Sequence, residues 1–158
     1  MDSVVKLYME RAENELVLAE SLFLLSSDEN LQREKFKLEK HFTFYSAVIS
    51  HAYYCIFYSA KAVLLLKNIK TEPPNEHKKT LKMFKKYLVD TGFIDISLLK
   101  IYKTAVLKAD ALLHIFSLEK SKRGHFTYQR LPQANKEPAE ESLKNAKTFF
   151  KNINVIIE

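Results

Sequence analysis

Two glycines and four prolines in 158 residues leave few positions for tight turns. That excludes an architecture of many short strands and favours long helices with few connections. The one cysteine, Cys55, has no partner for an intrachain disulfide, and no group of Cys and His has the spacing of a zinc site. It reads as a buried, inert thiol. Phosphate-loop and dinucleotide signatures need more glycine than this chain holds, which excludes enzymes of the nucleotide-binding α/β folds. Nucleophilic catalysis lacks support too, because no serine or cysteine sits in a context that lowers its pKa or exposes it on a sharp turn. The longest apolar runs, such as residues 62–66, fall far short of the roughly 18–20 residues of a membrane span. The amino terminus carries acids within an amphipathic pattern, not a basic-then-apolar leader. The expected location is the cytoplasm, with no membrane partner.

What the chain does have is enough apolar material, 47% of residues, for one continuous core, and a length that makes residues 1–158 a single domain by expectation. Its net charge of +6 favours an acidic partner such as RNA, a nucleotide or an acidic protein, without choosing among them.

Residues 45–66 are apolar and aromatic almost all round. Ser50, Tyr53, Phe57, Ala60 and Leu64 recur at three- and four-residue steps, and Ile49, Ala52, Ile56 and Val63 fill the adjoining face. A helix of this kind lies at the centre of a bundle. Ala52, Ser59 and Ala60 are small enough to let a partner helix approach closely. Met9, Ala12, Leu16, Ala19 and Phe23 give a first amphipathic helix over about 3–26 with an acidic solvent face. The charged stretch 28–40 reads as a loop or as a solvated extension of the second helix, which is predicted over about 38–68. Pro73 and Pro74 mark a connection. Asn75 is placed to cap a third, short helix carrying His77, Leu81, Phe84 and Leu88 on one face, and Gly92 to end it. Asp95 can cap a fourth helix with Leu98, Tyr102, Ala105, Ala109, Leu112 and Phe116 as its stripe. Pro138 suits the first turn of a fifth, whose core face is Leu143, Ala146, Phe150 and Ile153. The predicted fold is all-α, an antiparallel four-helix up-and-down bundle of the first, second, fourth and fifth helices, with the third across one end.

The connection from Lys120 to Lys136 is longer than loops without structure of their own usually are. Lys120, Lys122, Arg123, Arg130 and Lys136 stand there without any Asp or Glu, and His125, Phe126 and Tyr128 lie between the cationic clusters. Cations track a phosphate backbone and aromatic rings stack on unpaired bases. The alternative is that Phe126 and Tyr128 pin the loop while the cations are solvated. A second basic segment runs through the third helix, with Lys67, Lys70, Lys78, Lys79, Lys82, Lys85 and Lys86 opposed only by Glu72 and Glu76. It reads as an RNA-facing rim or as a solvated lysine surface. Asp110 and His114 share a helical face, but no second pair of ligands matches them, so an Asp–His hydrogen bond is preferred and no metal or other cofactor is expected. His51, on a different side of the central helix from Tyr53, reads as a satisfied buried or dimer-interface histidine. Lys61 is expected to snorkel outward from that side.

The pattern Ser50-x-x-Tyr53-Tyr54-x-x-Phe57-x-x-Ala60-Lys61-Ala62-x-Leu64-Leu65 resembles the second helix of HEPN domains, an all-helical family often found beside minimal nucleotidyltransferases. Pro73-Pro74, His77, the long helix ending near Lys120 and the closing Glu140-Glu141-Ser142-Leu143-x-x-Ala146-Lys147-x-Phe149-Phe150 follow in the order of that family. The resemblance implies a homodimer, a nucleotidyltransferase-type antitoxin as partner, and RNA or a nucleotide as ligand. Active HEPN ribonucleases carry Arg-x4-6-His before the last helix and cleave RNA without metal. Here Arg123 and His125 are separated by one residue, and Arg33 and His41 lie too far apart in another connection. The reading is therefore a noncatalytic nucleotide- or RNA-binding module of a toxin–antitoxin type, with Lys120, Lys122, Arg123, His125, Phe126, Tyr128 and Arg130 as binding residues. The alternatives are a metal-independent endoribonuclease using Arg123, His125 and Tyr128, and a pure protein-interaction module.

Overall fold

The computed structural model describes residues 2–121 and 135–158, the side chains of 113–121 excepted. Helices α1 (Ser3–Ser27), α2 (Glu29–Glu34), α3 (Tyr45–Leu66), α4 (Glu76–Phe84), α5 (Ile96–Ser121) and α6 (Lys136–Ile157) follow in order. A π-helical turn, Lys85–Val89, extends α4. No strand occurs among the described residues. As predicted, the fold is an all-α antiparallel bundle, formed by α1, α3, α5 and α6.

Its directions follow from the side-chain pairs. Tyr8 packs on Tyr58, Glu15 bonds His51 and Phe23 packs on Tyr45, so rising numbers on α1 meet falling numbers on α3. Lys108 with Glu141 and Tyr102 with Phe149 show the same reversal between α5 and α6. The centre is α3, which α1, α5 and α6 all touch. Val48, Ala52, Ile56, Ala60 and Val63 are completely or almost completely buried along it. Phe84 of α4, Tyr102 of α5 and Phe149 of α6 close one end as three rings with centroids 5.5–5.9 Å apart. Within the predicted core, Tyr53, Phe57, Ala60 and Leu64 are buried and Ala109 is half-buried against them; the Phe116 side chain lies outside the described residues.

Length and composition alone would let α3 cross a membrane, contrary to the expectation from run length. An 18-residue window of it has a mean hydropathy of 1.3. Its few polar residues break the apolar runs without lowering the average. The window is 72% buried within the bundle, where its apolarity forms the core.

Residues 28–44 also differ from the expectation. Asp28 accepts from the Leu31 N–H at 2.9 Å and starts a separate helix, α2, and Lys37 takes a left-handed φ of 56°. The second long helix therefore begins at Tyr45, not near 38. The stretch is anchored by Gln32, 1% exposed, whose amide donates to the carbonyls of Leu25 and Phe42 and accepts from the Phe42 N–H. At the other predicted boundaries, Gly92 has the expected positive φ of 77°, Asp95 accepts from the Ser97 N–H, and Pro138 lies in the first turn of α6. Asn75 occupies the residue before α4 but makes no side-chain cap; its role is the left-handed turn, φ 58°. Cys55 is buried, which pushes its thiol up to about 12 and removes the reactive thiolate at neutral pH.

Candidate functional site

The left-handed Asn75 sets the direction in which α4 leaves the 67–75 connection, a conformation asparagine tolerates better than most residues. The first two residues of α4 then meet α3. Glu76 forms an ion pair with Lys61, whose ammonium also donates to the Thr71 carbonyl at 3.1 Å. His77 places Nδ1 2.6 Å from the Tyr53 hydroxyl and stacks on Phe57, the ring centroids 4.1 Å apart and the planes 14° from parallel. Thr71 and Thr80 share a hydroxyl hydrogen bond of 2.7 Å, holding the connection to α4.

Lys61 therefore does not snorkel outward. Its side chain is 9% exposed because an acid 15 residues away reaches it from another helix. Burial disfavours the ammonium, but hydrogen bonds to Glu76 and Tyr8 outweigh that and raise its pKa above the ordinary lysine value.

A cleft of about 810 Å³ opens between α3, the head of α4 and α5. Ser50, Tyr53 and Tyr54 line one wall, His77 and Lys78 the next, and Asp110 with Val106 and Ala109 the third. Tyr54 and His77 are exposed. Burial, with smaller effects from Tyr54 and Asp110, holds the Tyr53 phenol well above its ordinary pKa, so it remains a protonated donor. His51 lines this cleft too, where the sequence reading set it on a different side from Tyr53, and it is half-buried with Nδ1 2.5 Å from Glu15 Oε2. A charge-assisted bond of this kind fixes the ring and matches the expectation of a satisfied histidine.

The basic face of the third predicted helix is less uniform than its sequence. Lys78, Lys82 and Lys86 are exposed, but Lys85 pairs with Asp90 at 3.0 Å, Lys67 lies 3.8 Å over the Phe93 ring, and Lys79 donates to the Glu72 carbonyl. Of the predicted binding residues, Lys122, Arg123, His125, Phe126, Tyr128 and Arg130 lie outside the described residues, and Lys120 is placed only as backbone in the last turn of α5. Among the described residues, no three His, Cys, Asp or Glu side chains gather to hold a metal. The cleft itself went unread in the sequence. Its signals were Tyr54 beside Tyr53, and His77 opening a helix straight after Pro73-Pro74.

An antiparallel helical bundle with an aromatic cleft beside its central helix defines a small all-α module. The chain belongs to the HEPN domain family, whose sequence model matches residues 5–156. It is similar to two proteins of Methanocaldococcus jannaschii whose names mark them as candidate toxins. One is 41% identical over 69 residues, 44% of this chain and 48% of the relative; the other is 36% identical over 74 residues, 47% and 43% respectively. A UPF0332 protein of Pyrococcus horikoshii is 47% identical over 47 residues, 30% of this chain and 31% of the relative. The matches thus span less than half the length of each relative.

Proposed function

We propose that this HEPN protein is the toxin-type member of a toxin–antitoxin pair, and that it binds nucleotides or single-stranded RNA without cleaving them. The observation that carries the reading is the cleft, which the exposed residues Tyr54, His77 and Lys78 line together. Rings of this kind stack on bases, and a cation beside them meets the phosphate. The names of the two Methanocaldococcus relatives support the toxin side. In this reading residues 1–158 act as one cytoplasmic domain, as a homodimer, with a nucleotidyltransferase-type antitoxin as the partner. The cations of the 120–136 connection extend the RNA-binding surface.

Fluorescence anisotropy with a short single-stranded RNA at low salt tests the reading. Tyr54→Ala should cost about 1–3 kcal/mol of affinity through lost stacking. Combined Lys122→Ala and Arg123→Ala should weaken binding and flatten its salt dependence. Absence of binding by the wild type would leave the interaction-module reading in its place.

A second reading, metal-independent endoribonuclease, is favoured by one further observation. His51 and His77 line the same cleft, and each is anchored through Nδ1, as a paired imidazole acid and base would need to be. Incubation with a structured RNA in chelator separates the two. No turnover is expected; cleavage lost in His77→Ala or in His125→Ala would establish the enzyme and assign its imidazole.

A further inference from the structure

We propose that the cleft selects guanine, with the Asp110 carboxylate reading the base edge and Lys78 holding the phosphate. The inference rests on the nucleotide-binding reading above and adds the identity of the base. Asp110 is exposed on α5 and lines the cleft that Tyr54, His77 and Lys78 also line, and its expected hydrogen bond to the His114 side chain lies outside the described residues. Two carboxylates line the cleft: Glu76 is paired with Lys61, whereas Asp110 is an unexpected component of a surface meant only to attract phosphate, because it repels the backbone that Lys78 holds. It makes sense where the ligand presents hydrogen-bond donors.

An ionised carboxylate only accepts, and its two oxygens can take two parallel N–H donors at once. Among the four common RNA bases, guanine alone has two adjacent donors on its pairing edge, N1–H and the N2 amino group. Adenine offers its N6 amino group beside the N1 lone pair, and cytosine its N4 amino group beside the N3 lone pair; in each case the lone pair faces the second carboxylate oxygen. Uracil has one N–H between two carbonyls. Asp110 thus gains two charge-assisted bonds from guanine and one bond plus a repulsion from the others. A site built to pair with donors rejects analogues that lack them more strongly than an apolar pocket rejects a change of size.

The surroundings agree with a purine. At about 810 Å³ the cleft falls within the roughly 300–1,000 Å³ typical of small-ligand sites. Val106 and Ala109 flank Asp110 along α5 and supply an apolar surface for a ring, while the exposed Tyr54 and His77 supply aromatic ones. His77 is braced from behind by Phe57, so it presents a fixed ring, not a mobile one. Lys78, the next residue on α4, places the cation at the same rim.

The probes are the 5′-monophosphates of guanosine, inosine, adenosine and cytidine, titrated calorimetrically into the full chain at one low salt concentration. GMP should bind roughly tenfold or more tightly than AMP or CMP, as expected when a charged acceptor would otherwise lose a partner. IMP, which keeps N1–H and lacks the amino group, should fall between. In Asp110→Asn the preference for GMP over AMP should shrink to within about threefold while AMP affinity holds or rises, because the repelled lone pair no longer meets a full charge. Asp110→Glu, which keeps the carboxylate, should retain part of the preference. Equal affinity of the wild type for GMP and AMP, or a preference that survives in Asp110→Asn, would overturn base selection while leaving nucleotide binding intact. No binding of any of the four would overturn both.

Discussion

Phe57→Ala should lower the unfolding free energy by about 3–5 kcal/mol, seen as a fall in the denaturant midpoint with an unchanged slope. Phe57 is 3% exposed at the middle of α3, the helix every long neighbour packs against. Removing its ring leaves a void among Tyr53, Tyr58 and His77, which pack on it, so both the transfer and the cavity contributions apply. The ring also supports the cleft. His77 stacks on it at 4.1 Å, and Tyr53, which hydrogen-bonds His77, lies 6.3 Å away by centroid. In the proposed nucleotide-binding role, affinity should therefore fall together with stability. Phe57→Leu should be milder in unfolding yet still weaken binding, which separates the two roles. A cost below about 1 kcal/mol for the alanine variant would show that Phe57 does not fill the core.

Lys61→Met should cost about 2–4 kcal/mol by leaving the Glu76 carboxylate near the core without its cation. The lower part of the usual range for a broken buried pair applies because the Glu76 side chain is 24% exposed and water screens part of the loss. Methionine keeps the aliphatic packing, so the effect reports the charge. The double variant Lys61→Met with Glu76→Gln should recover a substantial part of the loss, since the uncompensated ion is then absent. A single variant as stable as the wild type, or a double variant no better than the single, would show that the pair does not anchor α4. The sign of the pH dependence follows from the raised lysine value. The stabilisation from Lys61 is fully present below the ordinary lysine pKa and is lost only as pH rises through the elevated folded one. Buffers near neutrality therefore report it at full strength.

The long helices were legible because each carries a 3.6-residue apolar period that survives its neighbours. Met9, Ala12, Leu16 and Ala19 on α1 are all buried as that period requires. Residues 28–44 were not, because what organises them is polar. Gln32 is buried through three backbone hydrogen bonds, and nothing in a charged stretch distinguishes it from a solvated glutamine. Lys61 misled for a related reason: a lone lysine on an apolar helix suggests snorkelling, and its partner Glu76 lies beyond two prolines in the next helix. The cleft needs Tyr54, His77 and Asp110 from three elements, so only the tertiary arrangement gathers them. The family pattern around Tyr53 and His77 was visible as fold. Their hydrogen bond was not.

The apolarity of α3 has a consequence for the order in which the chain is made. A helix that resembles a membrane span by length and hydropathy is a hazard while it is uncovered, since lipid or another exposed helix can capture it before α5 and α6 have been synthesised. In this topology α1 precedes α3, and it makes the most extensive contact with it of any helix. The Gln32 bonds shorten the effective distance between them by joining the end of α1 to the entry of α3. The cover that hides the central helix is thus translated before the helix it hides, and the two can pair as a local antiparallel unit at the ribosome.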